Sequence, residues 1–135
     1  MGPNILGHCN PAVTEAVARQ LRDGTAFSMP HRLEVEVAEM IVERVPCAEM
    51  VRFGKNGSDA TSGAVRLARA VTGRDRVACG GYHGWQDWYI GTTTRSLGVP
   101  EAVKGLSHVF DYGKLESLKA LFDAHPGQFA AVVME

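Results

Sequence analysis

Two short stretches hold the residue types that do chemistry. The first is Gly54-Lys55-Asn56-Gly57-Ser58-Asp59-Ala60, which joins an alternating run, Met50 to Phe53, to a helical pattern. Small residues let backbone amides converge, a helix N-terminus carries partial positive charge, and a serine hydroxyl adds a donor. The turn can therefore seat a phosphate through Gly57 and Ser58. The same residues can also do no more than turn the corner, with Ser58 or Asp59 capping the helix. Neither GxxxxGK[ST] nor GxGxxG is present, which argues against the mononucleotide and dinucleotide loops of those kinds. The second stretch is Gly80-Gly81-Tyr82-His83-Gly84-Trp85-Gln86-Asp87-Trp88-Tyr89. A flat ring on a glycine-flanked loop can stack on a planar ligand, and a neighbouring imidazole can donate, accept or exchange a proton. Tyr82, with His83 beside it, is assigned that role. Trp85 and Trp88, at helical spacing, are expected to pack against the domain.

The elements that must position these loops follow from periodicity. Asn10-Pro11 is a capped helix start; Val13, Ala16, Val17 and Leu21 then share one face until Gly24. A second apolar stripe through Leu33, Val37, Met40, Ile41 and Val45 stops at Pro46, and a third through Ala60, Ala64, Leu67, Ala68 and Val71 stops at Gly73. Strands are predicted at Met50 to Phe53, Arg76 to Cys79, Ser107 to Phe110 and Phe129 to Met134, with a helix over Lys114 to Ala124. The stretch from Trp85 to Lys104 has no clear period. Strands alternating with helices imply an α/β fold, a mostly parallel sheet with helices on both faces. Ligands of such sheets sit beyond the carboxyl ends of the strands, where Glu135 would lie.

Composition narrows the rest. The 135 residues carry 14 Lys plus Arg against 15 Asp plus Glu, a net charge of -1, and 45% hydrophobic residues. The basic residues are scattered, so no surface for a nucleic acid is expected. The longest apolar stretch, Phe129 to Met134, falls far short of the roughly 20 residues a membrane-spanning helix needs. The start lacks the basic and apolar regions of a signal peptide, so a cytoplasmic protein is expected. The cysteines Cys9, Cys47 and Cys79 form no CxxC pair, and the histidines show no HxH or HExxH spacing, so neither a disulfide framework nor a metal centre is expected.

Taken together, N-G-S-D-A followed by V-R-L-A-R-A-V-T-G-R-D, and then G-Y-H-G-W, resemble class III aminotransferases, pyridoxal-phosphate enzymes of fold type I, in their glutamate-1-semialdehyde aminomutase branch. G-H-C-N-P-A-V, G-T-A-F-S-M-P, E-V-E-V-A-E-M-I and the terminal V-V-M-E are similar too. The resemblance implies helices over residues 1–46 and the start of the cofactor-binding large domain over 47–135. It implies that Gly57 and Ser58 donate to the phosphate of pyridoxal 5'-phosphate, that Tyr82 stacks on its ring beside His83, and that Glu135 matches the acid of the family's E-P motif. Phe27 and Ser28 match a segment near the substrate entrance. Family members more often read N-S-G-[ST]-E-A where this chain has Lys55-Asn56 and Asp59. The ring-nitrogen carboxylate and the Schiff-base lysine lie downstream of E-P in the family, and Lys55, Lys104, Lys114 and Lys119 do not match that lysine. The chain is thus expected to be an N-terminal fragment of a homodimeric enzyme that acts on a small-molecule amine donor and a carbonyl acceptor, and to be inactive alone. The alternatives are a non-catalytic binding or assembly module that kept the fold, or an unrelated α/β domain for a phosphate ligand.

Overall fold

A computed structural model describes residues 2–135, which fall into two compact units, one running to Arg52 and the other spanning Phe53–Glu135. The first unit holds a short 3-10 helix (Gly2–Asn4) and two α-helices, α1 (Pro11–Asp23) and α2 (Arg32–Arg44). Helix α1 starts where the sequence places it. Asn10 Oδ1 accepts from the amides of Ala12 at 3.1 Å and Val13 at 3.4 Å, with Pro11 at the first helical position. Helix α2 is capped by a residue the sequence reading passed over. His31 Nδ1 accepts from the Leu33 amide at 3.2 Å, while Glu34 Oε2 accepts from the His31 amide at 3.2 Å, a reciprocal capping box.

The second unit contains α3 (Gly57–Thr72), β1 (Arg76–Gly80), α4 (Asp87–Ile90), α5 (Glu101–Lys104), β2 (Ser107–Val109), α6 (Leu115–Ala124) and β3 (Phe129–Met134). The strands form one parallel sheet in the order β2-β1-β3, with Val77 opposite Ser107 on one side and Ala131 on the other. Central β1 alternates between two cores, as the two-residue period of a strand requires. Val77 and Cys79 pack with Val65 of α3 and with Trp88 and Tyr89 of α4. Ala78 packs with Phe110 and Phe129 against Leu118 and Leu121 of α6. Helices therefore cover both faces of the sheet, the α/β arrangement that the alternation of elements implies.

One predicted strand is absent. Met50 to Phe53 forms no regular element and has no ladder partner among the described residues, and Met50 is 89% exposed. Four alternating residues provide the period of a strand but not its neighbour. The aperiodic stretch from Trp85 to Lys104 contains α4 and α5, four residues each. One helical turn is too short to display a repeat. Among the described residues no helix is long and apolar enough to cross a membrane.

Candidate cofactor-binding site

The site is built where α3 begins and β1 ends. Asn56, not Ser58 or Asp59, caps α3: its Oδ1 accepts from the Asp59 amide at 3.0 Å. Asp59 Oδ2 in turn accepts from the Lys55 amide at 3.0 Å, which closes the turn. This division of labour leaves Ser58 in the first helical turn with its hydroxyl uncommitted. Among the described residues, the Gly57 and Ser58 amides and Ser58 Oγ have no protein hydrogen-bond partner. Free N–H groups at the start of a 16-residue helix are the donors an anion needs.

The glycine loop folds directly over that helix start. Gly84 has φ +103°, and a Cβ there would meet Ser58 Oγ and come within 3.0 Å of Ser58 Cβ. Thr61 Oγ1 lies 3.2 Å from both Ser58 O and His83 O and shares one proton between them, tying helix to loop. Gly81, with φ +92°, makes the matching approach on the other side: a Cβ there would sit 3.1 Å from Glu135 Cβ. The Glu135 amide donates to Gly80 O at 3.2 Å, so the end of β3 lies beside the start of the loop. The structure thus brings Gly57, Ser58, Tyr82, His83 and Glu135 to one end of the sheet. Phe27 and Ser28 lie in the first unit, both exposed, with the Phe27 ring stacked on His31 at 4.4 Å.

Within the loop the side chains divide by exposure. Tyr82 is 67% exposed, whereas His83 is 7% exposed and turned inward. His83 Nε2 lies 2.9 Å from Gly80 O. A carbonyl only accepts, so Nε2 carries the proton and the ring is committed to holding the loop. Trp88 stacks on His83 at 6.0 Å and donates from Nε1 to Ser62 Oγ of α3 at 3.2 Å. The packing role expected of both tryptophans holds for Trp88 alone, because Trp85 is 67% exposed. Spacing of three residues implies a shared helical face only inside a helix, and α4 begins after Trp85, at Asp87.

Tyr89 went unassigned in the sequence. Its Oη donates to Gly81 O at 2.9 Å, and its ring stands edge-on to Tyr82 at 5.7 Å and to His83 at 5.3 Å. Burial first, then Cys79, Tyr82 and Glu135, raise the Tyr89 phenol pKa from its ordinary value, partly offset by a hydrogen bond to the His83 backbone. Burial likewise pushes the Cys79 thiol up, partly offset by a hydrogen bond with Thr92. No local pattern marks Tyr89, since its partners are set by the fold of the glycine loop.

Comparison with known proteins adds an independent line. The family described as Aminotransferase class-III matches residues 1–135. Glutamate-1-semialdehyde 2,1-aminomutase of Methanothermobacter thermautotrophicus is 41% identical over 143 residues, a match covering 99% of this chain and 34% of that protein. An omega-transaminase from Sphaerobacter thermophilus has a TM-score of 0.84 at 35% identity, over 98% of this chain and 34% of its own. The FumI protein of Sphingopyxis sp. MTA144, solved in its PLP internal aldimine form, also gives 0.84, at 36% identity over 96% of this chain and 31% of its own. The chain spans about a third of the length of the relatives it matches.

Proposed function

The chain belongs to the class III aminotransferase family, and on that premise we propose that the start of α3 and the Gly80 to Gly84 loop hold pyridoxal 5'-phosphate in an enzyme that moves an amino group between molecules or within one. Class III aminotransferases use this cofactor. One observation carries the reading. The Gly84 backbone presses onto Ser58 while the Gly57 and Ser58 amides and the Ser58 hydroxyl keep no protein acceptor. Those donors suit a phosphate, and the exposed Tyr82 ring, two residues from Gly84, suits a flat heterocycle.

On this reading Gly57 and Ser58 bind the phosphate and Tyr82 lies against the ring. His83 keeps the loop in shape from beneath, and Glu135 stands at the same edge. When bound, pyridoxal phosphate supplies an aldehyde that takes up a primary amine and a ring that draws off the electrons left when the adjoining carbon loses its proton. The substrates are a small-molecule amine donor and a carbonyl acceptor, handled by a cytoplasmic homodimer. Lys104, Lys114 and Lys119 pair with Glu101, Asp111 and Glu116 on the surface, and Lys55 lies in the exposed turn before α3. None is assigned the proton-moving role. That lysine, and the carboxylate for the ring nitrogen, are ascribed to the remainder of the full-length enzyme, so these 135 residues alone are assigned no turnover.

The test is a titration of the complete gene product with pyridoxal phosphate. Ser58→Ala removes one donor among several, so affinity should fall by about 1 kcal/mol, near fivefold. Tyr82→Ala removes stacking area and should shift or weaken the absorption band of the bound cofactor. Unchanged affinity and spectrum in both variants would overturn the assignment. Assaying keto product from amine donors separates an enzyme from a binding module that kept only the fold.

A further inference from the structure

The loop that presents Tyr82 is held by one residue with no role so far. We propose that Tyr89 is a positioning residue that fixes the ring wall: its hydroxyl anchors the Gly81 carbonyl and its ring braces Tyr82 edge-on, so that Tyr82 meets a planar ligand in one orientation. The inference rests on the cofactor assignment above. It concerns how the wall is kept in place, which that assignment leaves open.

Exposure sets the two tyrosines apart. Tyr82 is 67% exposed and has little packing of its own, while Tyr89 is buried at 9% exposure. A free aromatic on a loop would sample several rotamers, and ordering it on binding costs conformational entropy. Tyr89 reduces that cost from two directions. Its Oη lies 2.9 Å from the carbonyl of Gly81, the residue before Tyr82, and its ring lies 5.7 Å from that of Tyr82 at an interplanar angle of 86°. Edge-to-face is a favourable arrangement for two aromatic rings. Tyr89 is itself anchored, because α4 packs its Trp88 and Tyr89 with Val65 of α3 and with Val77 and Cys79 of β1. The brace therefore ties the ring wall to the helix whose first turn offers the phosphate donors. The hydrogen bond to the Gly81 carbonyl is part-buried at an otherwise exposed residue, so loss of the hydroxyl loosens the loop at that point.

The experiment compares Tyr89→Phe, which keeps the ring and deletes the hydroxyl, with Tyr89→Leu, which also deletes the edge-on ring. It uses the complete gene product and four readouts: affinity for pyridoxal phosphate, affinity for inorganic phosphate, chymotryptic cleavage after Tyr82 in the cofactor-free protein, and the unfolding midpoint. Tyr89→Phe is expected to weaken pyridoxal phosphate about threefold to tenfold, the span of one hydrogen bond, and Tyr89→Leu further. Cleavage after Tyr82 should quicken in the same order, while affinity for inorganic phosphate stays at the wild-type level. Unchanged cofactor affinity and cleavage in Tyr89→Phe would overturn the proposal. So would an equal loss of both affinities together with a drop in the unfolding midpoint, since that is what a merely structural residue gives. Failure of the cofactor assignment looks different: Ser58→Ala and Tyr82→Ala would then leave pyridoxal phosphate binding untouched.

Discussion

At Gly84 the chain has no room for a methyl group. The residue sits at φ +103°, and an added Cβ would run into the Ser58 side chain. Backbone strain and steric overlap act together there, so Gly84→Ala should lower unfolding free energy by about 2 kcal/mol or more. Gly57 is the control. It lies in the first turn of α3 at no positive φ, and nothing stands within 4 Å of a Cβ built on it. Gly57→Ala should change stability by no more than about 0.5 kcal/mol. Denaturant unfolding of both variants checks the pair. Equal effects would mean that the loop does not press on the helix as described.

Packing between elements adds a pH dependence away from the site. Arg76 Nη1 of β1 lies 2.7 Å from His108 Nε2 of β2, with the His125 ring at the end of α6 4.8 Å from that of His108. A guanidinium only donates, so Nε2 is bare and His108 is neutral in the fold. Burial first, then the charges of Arg76 and His125, lower the His108 pKa from 6.5. The native state therefore binds fewer protons than the unfolded chain as pH falls below about 6.5, and stability that is complete above that value drains away toward the depressed native pKa. Urea midpoints between pH 8 and 5 should decline. His108→Gln, which keeps an acceptor for Arg76 and does not titrate, should flatten the decline. A profile identical in wild type and variant would assign the dependence elsewhere. Elements of this size also show what sequence could convey. Helices α1, α2 and α3 repeat their apolar stripe for nine or more residues and stop at Gly or Pro, so period and punctuation mark them in the sequence. Met50 to Phe53 had the period without a partner strand. Helix α4 was too short to have a period, and with it went Tyr89 and the inward turn of His83.

Across the whole chain, the sheet and its helices have a buried core, while no described residue of the first unit is buried. Val13, Val17 and Leu21 of α1 are 49%, 53% and 62% exposed, and among the described residues the caps Asn10 and His31 satisfy amides in the first turns of α1 and α2. In the second unit the candidates Gly57, Ser58, Tyr82 and His83 could be singled out in the sequence because they sit in two contiguous runs. The contact between the runs, Gly84 on Ser58, could not, since it depends on α3 packing across the face of β1 and β3. A structure of the complete gene product crystallised with pyridoxal phosphate would show whether the helix start beneath that contact seats the cofactor. Phosphate oxygens are expected about 3 Å from the Gly57 and Ser58 amides and from Ser58 Oγ, with the Tyr82 ring parallel to the pyridine. Phosphate density elsewhere, or a Tyr82 ring turned away from the pyridine, would contradict the cofactor assignment.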